Sequence, residues 1–171
     1  MKYELTEKTV AGAQNISRMC LVCGKNNAMG LHTQFLDLED GSICAFFSTQ
    51  PEHQGYPGRV HGGIISAVID ETIGRAVQTR RPGAFGVTTE LTVKFRQPVP
   101  IGEELKVVAR LDEADRRIFS GTAELFLSDG TIAASGSGKY MYLEVEKIVD
   151  GGLEDADWVI DERLVPQTVQ A

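Results

Sequence analysis

The sequence predicts an α+β domain in which a strongly curved antiparallel sheet of about six strands wraps around one long helix. Two observations carry this prediction. Long stretches that alternate apolar and polar residues are joined by short turns, which is typical of an antiparallel meander. A single helical stretch is apolar around more than half of its circumference, so it must be covered on most sides. A curved sheet that encloses the helix satisfies both patterns.

The elements follow in a simple order along the chain. The helix is predicted over residues 61–79, because apolar residues recur there at helical spacing until Arg80 and Arg81 lead into a Pro-Gly pair. The strands are predicted over residues 31–38, 43–48, 87–96, 105–111, 118–127 and 131–145. We expect three segments: a lead-in, tail-like or briefly helical, over residues 1–19, the domain over 20–147, and a tail over 148–171 with a docking segment around Trp158.

Composition excludes several classes of function. The 171 residues suffice for one core, and 42% hydrophobic with 24% charged residues is the balance of a globular protein. A net charge of −7, with no block of Lys or Arg, argues against a nucleic-acid-binding surface. No apolar run reaches the ~18 residues of a membrane span, and residues 1–4 open no signal peptide. With only three cysteines, we expect no disulfide framework and a cytoplasmic location.

Asp70 lies in the middle of the most apolar segment, where an unpaired carboxylate is costly. Its neighbours four residues away, Ser66 and Gly74, are small and leave room for a ligand. A partly desolvated carboxylate can act as a general base or a nucleophile, whereas the alternative is a structural Asp that is capped or paired across a dimer. Glu71 points elsewhere and has Arg75 four residues on, which predicts a solvated or interfacial ion pair.

The helix begins at Gly62 and Gly63, directly after His61. Unpaired amides at a helix N-terminus can bind a carbonyl oxygen or an oxyanion, whereas the alternative is a tight entry turn into a crowded core. No serine has the spacing of a nucleophile elbow to accompany His61 or His53, which disfavours a Ser-His-Asp hydrolase. His61 could cap the helix, orient or contact a substrate, or hold the turn.

Two further sets of residues are weaker candidates for a functional site. Cys20 and Cys23 could suggest zinc or a redox pair, but the remaining zinc ligands, His32 and Cys44, lack standard spacing. We therefore expect no metal and reduced thiols in a structured turn. Some basic residues near element ends could gather the phosphates of a nucleotide-bearing substrate. They are Arg59, Arg80, Arg81, Arg116, Arg117 and Lys139.

Three segments together resemble one known family. They are GRVHGGIISAVIDE over residues 58–71, ELTVKFRQPVPIG over 90–102, and CLVCG over 20–24 with MGL over 29–31. They resemble the hotdog-fold acyl-CoA thioesterases, above all the phenylacetic-acid-pathway type related to the 4-hydroxybenzoyl-CoA thioesterases. The resemblance covers roughly residues 20–145.

The resemblance implies roles for particular residues. Asp70 matches the family's catalytic carboxylate, and the Gly63 amide matches the group that polarises the thioester carbonyl. Relatives often carry Asn or Gln six residues before the His, where this chain has Gly55, so Gln54 is the substitute candidate. We expect His61 to join this catalytic set. The residues expected to bind substrate are Gly62, His53, Ser66 and Arg59.

The implied activity is hydrolysis of an acyl-CoA thioester to a carboxylic acid and CoA, without metal or cofactor. The implied assembly is a homodimer or homotetramer with active sites at subunit interfaces, which would also cover sheet edges that one chain leaves open. Two alternatives stay open: an acyl-CoA-binding hotdog module that does not turn its ligand over, and a hotdog enoyl-CoA hydratase or dehydratase.

Overall fold

A computed structural model describes residues 5–152, 154 and 157–171. Residues 1–4 of the expected lead-in and residues 153, 155 and 156 of the expected tail lie outside the described residues. The helices are α1 (Gly62–Ala76) and α2 (Val145–Ile148). The strands are β1 (Glu7–Ala13), β2 (Ile16–Ser17), β3 (Gln34–Leu38), β4 (Ile43–Ser48), β5 (Gly86–Phe95), β6 (Glu104–Ala114), β7 (Ile118–Phe126), β8 (Ile132–Tyr142), β9 (Trp158–Val159) and β10 (Thr168–Gln170).

One antiparallel sheet of eight strands forms the body of the molecule, in the order β10-β1-β3-β4-β6-β7-β8-β5. The helix α1 packs on one face of this sheet, and a one-turn 3₁₀ helix over Val77–Thr79 extends it, so the predicted helix over residues 61–79 is confirmed. The helix and the sheet form the predicted α+β architecture, and the six predicted strands are all present.

The sheet is wider than predicted because both ends of the chain contribute strands. The expected lead-in contains β1, which pairs with β3, and the expected tail contains β10, which pairs with β1. The expectation of a tail or short helix before residue 16 is therefore wrong for Glu7–Ala13. These strands are seven and three residues long, too short and too polar for periodicity to mark them without their partners.

Two glycines let α1 approach the sheet closely. A Cβ atom at Gly136 of β8 would lie 2.5 Å from Cγ2 of Ile69, and one at Gly121 of β7 would lie 2.9 Å from Cγ2 of Ile73. Both isoleucine side chains are fully buried. Gly136 is thus where a helix side chain packs directly on the sheet backbone.

The expected docking segment of the tail contacts the core. Trp158 lies in β9, which pairs with β2, and its ring centroid lies 5.7 Å from that of Phe85. The guanidinium carbon of Arg75 lies 4.8 Å from the Trp158 ring centroid and 4.1 Å from that of Phe35. The tail segment therefore covers the C-terminal part of α1.

The β3–β4 turn is anchored through Asp40. Its carboxylate accepts hydrogen bonds from Ser42 and lies 3.1 Å from Nζ of Lys8 and 3.3 Å from Nη1 of Arg110. Burial acts to raise the pKa of Asp40, but these hydrogen bonds and ion pairs outweigh it and hold the pKa well below its usual value.

The strand β5 lies at the end of the sheet and is ten residues long. Within the described part of the chain it pairs only with β8, so its other edge presents backbone groups to solvent. Among the described residues, no helix combines the length and the apolar composition that a membrane crossing requires.

Candidate active site

Asp70 is half-buried on α1, and its carboxylate accepts hydrogen bonds from two side-chain hydroxyl groups. The Thr88 hydroxyl donates to the carboxylate at 3.0 Å from Oδ1 and 3.2 Å from Oδ2, and the Tyr140 hydroxyl lies 2.9 Å from Oδ1. Thr88 and Tyr140 are cross-strand partners on β5 and β8, so their side chains converge on one point of the helix. The carboxylate is therefore held in place and still reaches the surface.

Tyr140 is the buried member of this trio. Only 2% of its surface is exposed, and its ring stacks on Phe119 with the centroids 4.9 Å apart. Burial raises the pKa of the Tyr140 phenol, and the negative charge of Asp70 raises that pKa further. Tyr140 thus stays protonated at neutral pH and remains a hydrogen-bond donor. Sequence reasoning missed Tyr140 and Thr88, because no local pattern relates them to a helix residue so distant in the chain.

Gly74 and Gly138 make the space that the Tyr140 ring fills. A Cβ atom at Gly74 would lie 3.2 Å from Cε1 of Tyr140, and one at Gly138 would lie 2.7 Å from Cε2. The sequence suggested that Gly74 leaves room beside Asp70 for a ligand. The structure corrects this interpretation, since the room beside Asp70 at Gly74 is occupied by a tyrosine of the same chain.

His61 caps the N-terminus of α1. Its Nδ1 accepts a hydrogen bond from the Gly63 amide at 2.9 Å, so the amide expected to bind a carbonyl oxygen has an internal partner in this structure. The imidazole is exposed and packs against Gly55, where a Cβ atom would lie 3.1 Å from its Cδ2. Because the His61 side chain is exposed, it can rotate away from Gly63 without disturbing the core.

Gly62 and Ser66 lie on the first turn of α1. A Cβ atom at Gly62 would lie 3.4 Å from Cζ of Phe95, whose side chain is 55% exposed at the end of β5. The Ser66 hydroxyl donates to the Gly62 carbonyl at 2.9 Å. This end of the helix therefore presents an apolar ring and glycine backbone.

His53 is buried, and its ring makes hydrogen bonds that hold the local structure. It is 4% exposed, its Nδ1 accepts from the Gln50 amide at 2.9 Å, and its Nε2 lies 2.8 Å from the Met29 carbonyl. Because Nδ1 accepts, the ring proton lies on Nε2 and is donated to that carbonyl. Nε2 thus joins the loop before α1 to the segment at Met29, whereas the Nδ1 hydrogen bond lies within the loop.

Gln54 and Arg59 lie in the exposed loop that leads into α1. The Gln54 Oε1 accepts from the Gly58 amide at 3.2 Å, which closes the loop on itself. Arg59 is exposed, and its backbone bridges to Pro100. Neither side chain contacts Asp70 among the described hydrogen bonds and ion pairs.

The basic residues that the sequence offered as phosphate-binding candidates do not all lie in one place. Lys139 pairs with Glu90 at 2.9 Å on the exposed sheet surface. Three of the others line one groove of about 510 Å³ near the start of β5 and the end of β8, together with two glutamates. They are Arg81, Arg116 and Arg117, with Glu144 and Glu146.

The predicted pair of Glu71 and Arg75 is confirmed, with Nη2 2.8 Å from Oε1. The pair is largely shielded from solvent within this chain, since the Arg75 side chain is 5% exposed and the Glu71 side chain 22% exposed. The pair adjoins Cys20 and Cys23, and the two thiol sulfurs and one Glu71 oxygen all lie within 4.8 Å of one another. Of the zinc ligands weighed from the sequence, Cys44 instead packs in a separate apolar cluster with Leu38.

The distance between Asp70 and Gly63 bears on whether one chain can supply both the attacking group and the oxyanion donor. They are seven residues apart on one face of α1, an axial separation of about 10 Å at 1.5 Å per residue. A reacting carbonyl lies about 3 Å from its attacking group and about 3 Å from its oxyanion donor. The backbone separation of Asp70 and Gly63 along one helix is larger than either of these contact distances.

Residues 57–134 match the sequence profile of the thioesterase superfamily. Over this segment the chain resembles that superfamily. The chain is 27% identical over 110 residues to acyl-coenzyme A thioesterase THEM5 of Mus musculus, an alignment that covers 64% of this chain and 43% of THEM5. It thus spans less than half the length of that curated relative.

Solved structures share the fold of this chain. One thioesterase superfamily protein superposes with a TM-score of 0.66 at 28% identity, over 73% of this chain and 64% of that one. The Escherichia coli PaaI protein from the phenylacetic acid degradation operon superposes with a TM-score of 0.60 at 17% identity, over 67% of this chain and 81% of its own. The chain has the hotdog fold, as the sequence resemblance implied.

Proposed function

We propose that this protein hydrolyses acyl-CoA thioesters to a carboxylic acid and CoA. The observation that carries the proposal is Asp70, a half-buried carboxylate on the central helix of a domain that resembles the thioesterase superfamily, held by Thr88 and Tyr140. Two hydroxyl donors orient the carboxylate, which suits a base that activates water or a nucleophile that attacks the carbonyl carbon. The relative named acyl-coenzyme A thioesterase supports CoA as the carrier.

The complete site is built by two copies of the chain. Because Asp70 and Gly63 of one helix are about 10 Å apart, Asp70 of one protomer faces Gly63 of its partner across a two-fold axis. Antiparallel pairing of the two helices forms two such sites at once. The open edge of β5, which carries Thr88, offers the backbone groups through which two sheets join.

The Gly63 amide acts as the oxyanion donor once the substrate carbonyl replaces His61 Nδ1. The partial positive charge of the helix N-terminus adds to this donor. The exposed Phe95 ring beside Gly62 contributes an apolar wall for the acyl group. Rotation of the His61 side chain thus couples arrival of substrate to completion of the site.

The groove lined by Arg81, Arg116 and Arg117 is the proposed binding site for the phosphates of CoA. It adjoins the residues that hold Asp70, because Met141 and Tyr142 in its lining directly follow Tyr140 on β8. Guanidinium groups bind phosphate through paired hydrogen bonds, so a cluster of three suits a polyphosphate on an otherwise acidic protein.

Release of free thiol from a panel of short, medium, long and aryl acyl-CoA substrates tests the activity. We expect Asp70→Asn to lose at least ~100-fold in kcat, because the amide neither accepts a proton nor attacks as a carboxylate. Binding of an acyl-CoA without thiol release by the wild type would instead identify a ligand-binding module. Conversion of an enoyl-CoA without thiol release would identify a hydratase.

Two inactive variants test whether the site is shared. Gly63→Pro removes the amide hydrogen at a helix position where proline is tolerated. Co-expression of Asp70→Asn and Gly63→Pro chains with different tags gives heterodimers with one intact site in two, so we expect about half of the wild-type activity per dimer. Heterodimers as inactive as either parent would show that each site lies within one chain.

A further inference from the structure

A tight turn brings Cys20 and Cys23 together next to α1. The Gly24 amide donates to the Cys20 carbonyl at 2.9 Å, and a Cβ atom at Gly24 would lie 2.3 Å from that oxygen, so only glycine fits there. Cys20 is partly exposed, whereas Cys23 is 1% exposed. The turn therefore presents one accessible thiol directly over one buried thiol.

The exposed thiol has a base beside it. The Cys20 thiol donates to Oε2 of Glu71 at 3.1 Å and accepts from the Val22 amide at 3.2 Å. A hydrogen bond with Cys23 lowers the pKa of Cys20, against opposing effects of burial and of the Glu71 charge. A thiol held between a carboxylate acceptor and an amide donor can lose its proton without leaving its position.

The buried thiol has donors pointing at it. Cys23 Sγ accepts from Nη2 of Arg75 at 3.1 Å and from the Ser17 amide at 3.3 Å. A guanidinium beside sulfur stabilises the negative charge that develops when Cys23 attacks another sulfur. The cluster thus holds a nucleophilic thiol, a second thiol to resolve it, a base and a cation, outside the Asp70 site.

We propose that Cys20 and Cys23 form a dithiol site that reacts with small-molecule disulfides and closes to an intramolecular disulfide. Glu71 takes the Cys20 proton, and the Cys20 thiolate attacks one sulfur of the disulfide, which forms a mixed disulfide and releases the first small thiol after protonation. Cys23 then attacks Cys20 Sγ, breaks the mixed bond and passes its proton to the second small thiol. Two protein thiols are oxidised and one small-molecule disulfide is reduced to two thiols.

The surroundings favour this chemistry over a metal ion in the same place. A metal would find two sulfurs and one carboxylate, fewer than the four ligands of a closed zinc site. Arg75 already donates to both Cys23 and Glu71, so a cation among these three groups would sit beside a guanidinium. Metal occupancy is thus the competing outcome that the experiment has to exclude.

The reduced, desalted protein is incubated with glutathione buffers of increasing oxidised fraction and then denatured and alkylated. We expect the number of alkylated thiols to fall from three to one, with loss of two hydrogen atoms in intact mass and a Cys20–Cys23 link in the peptide map. Cys44 is the internal control, because it is fully buried in a separate apolar cluster with Leu38, away from the Cys20–Cys23 turn. Reduction by dithiothreitol should restore all three thiols.

Two variants separate formation of the mixed disulfide on Cys20 from its resolution by Cys23. Cys23→Ser should stop at the mixed disulfide and carry one glutathione on Cys20, whereas Cys44→Ser should still lose two thiols. Three alkylated thiols at every buffer ratio would overturn the proposal, as would a Cys23→Ser protein without an adduct. So would a reduced protein whose two thiols resist alkylation until a chelator removes one zinc per chain. Mass measurements on the wild type decide the matter even if a variant fails to fold.

Discussion

Replacing Tyr140 by phenylalanine tests whether the buried phenol positions Asp70. The change removes the hydroxyl 2.9 Å from Oδ1 and keeps the ring that stacks on Phe119. Thr88 remains as the second donor to the carboxylate. The variant therefore removes one hydroxyl, which lies 2.9 Å from both Oδ1 and the backbone carbonyl oxygen of Asp70, with little change in packed volume.

The expected loss in the free energy of unfolding follows from the nature of the acceptor, the Asp70 carboxylate, and from its exposure to water. A hydrogen bond to a charged group contributes about 1.5–3 kcal/mol, and water can partly replace it at a half-buried carboxylate, so we expect a loss of about 1–2 kcal/mol in the free energy of unfolding. For a chain of this length that loss lowers Tm by about 2–8 °C. A similar loss in transition-state stabilisation, near 1.4 kcal/mol, lowers kcat about 10-fold. Because Tyr140 contacts the proposed catalytic carboxylate and is not proposed to bind the substrate, KM should change less than about twofold.

Thermal unfolding and steady-state thiol release on the best acyl-CoA measure the two effects. Tyr56→Phe is the control for loss of a phenol hydroxyl, since Tyr56 is 83% exposed and makes no described contact with Asp70. An unchanged kcat with a lowered Tm would refute the positioning role and leave Tyr140 as a stabilising residue. An equal loss of kcat in Tyr56→Phe would refute it as well.

Two further predictions concern the fold. Gly136→Ala should lower the free energy of unfolding by about 1–3 kcal/mol in urea titrations, because its Cβ atom would lie 2.5 Å from Ile69. Gly12→Ala, in β1 with nothing within 4 Å, should change that free energy by less than about 0.5 kcal/mol, and equal effects would contradict the close-approach argument. The lowered pKa of Asp40 means that its stabilisation is present above the unfolded pKa of about 3.9 and is lost as pH falls toward the folded pKa. Urea titrations at pH 7 and pH 3 should therefore show a smaller acid-induced loss for Asp40→Asn than for the wild type or for Glu39→Gln, and three equal losses would contradict the anchoring role of Asp40.

Local sequence patterns were sufficient to predict the central helix and strands of the fold. Apolar residues at helical spacing predicted α1, and alternation predicted the strands of the meander, because both patterns record which face of an element is buried. The pair of Glu71 and Arg75 followed from four-residue spacing alone. Asp70 was found by a similar rule, since a carboxylate inside an apolar helix needs an explanation.

Pairing between distant segments was beyond such patterns. β1 and β10 are short and come from opposite ends of the chain, and each is a strand because the other lies beside it. The donors to Asp70 come from β5 and β8, and the carboxylate beside Cys20 comes from α1. A sequence pattern shows that a group needs a partner but not which residue provides it.

The sequence by itself thus predicted a curved antiparallel sheet, the helix at its centre and the carboxylate on that helix, since burial on one face leaves its period in the chain, and the resemblance of three segments implied the hotdog fold. Only the tertiary structure decided that Tyr140 fills the space at Gly74, that Thr88 donates to Asp70, and that Gly136 lets Ile69 pack on the sheet. These facts depend on distances between side chains of elements that pack together, and such distances exist only once the chain has folded.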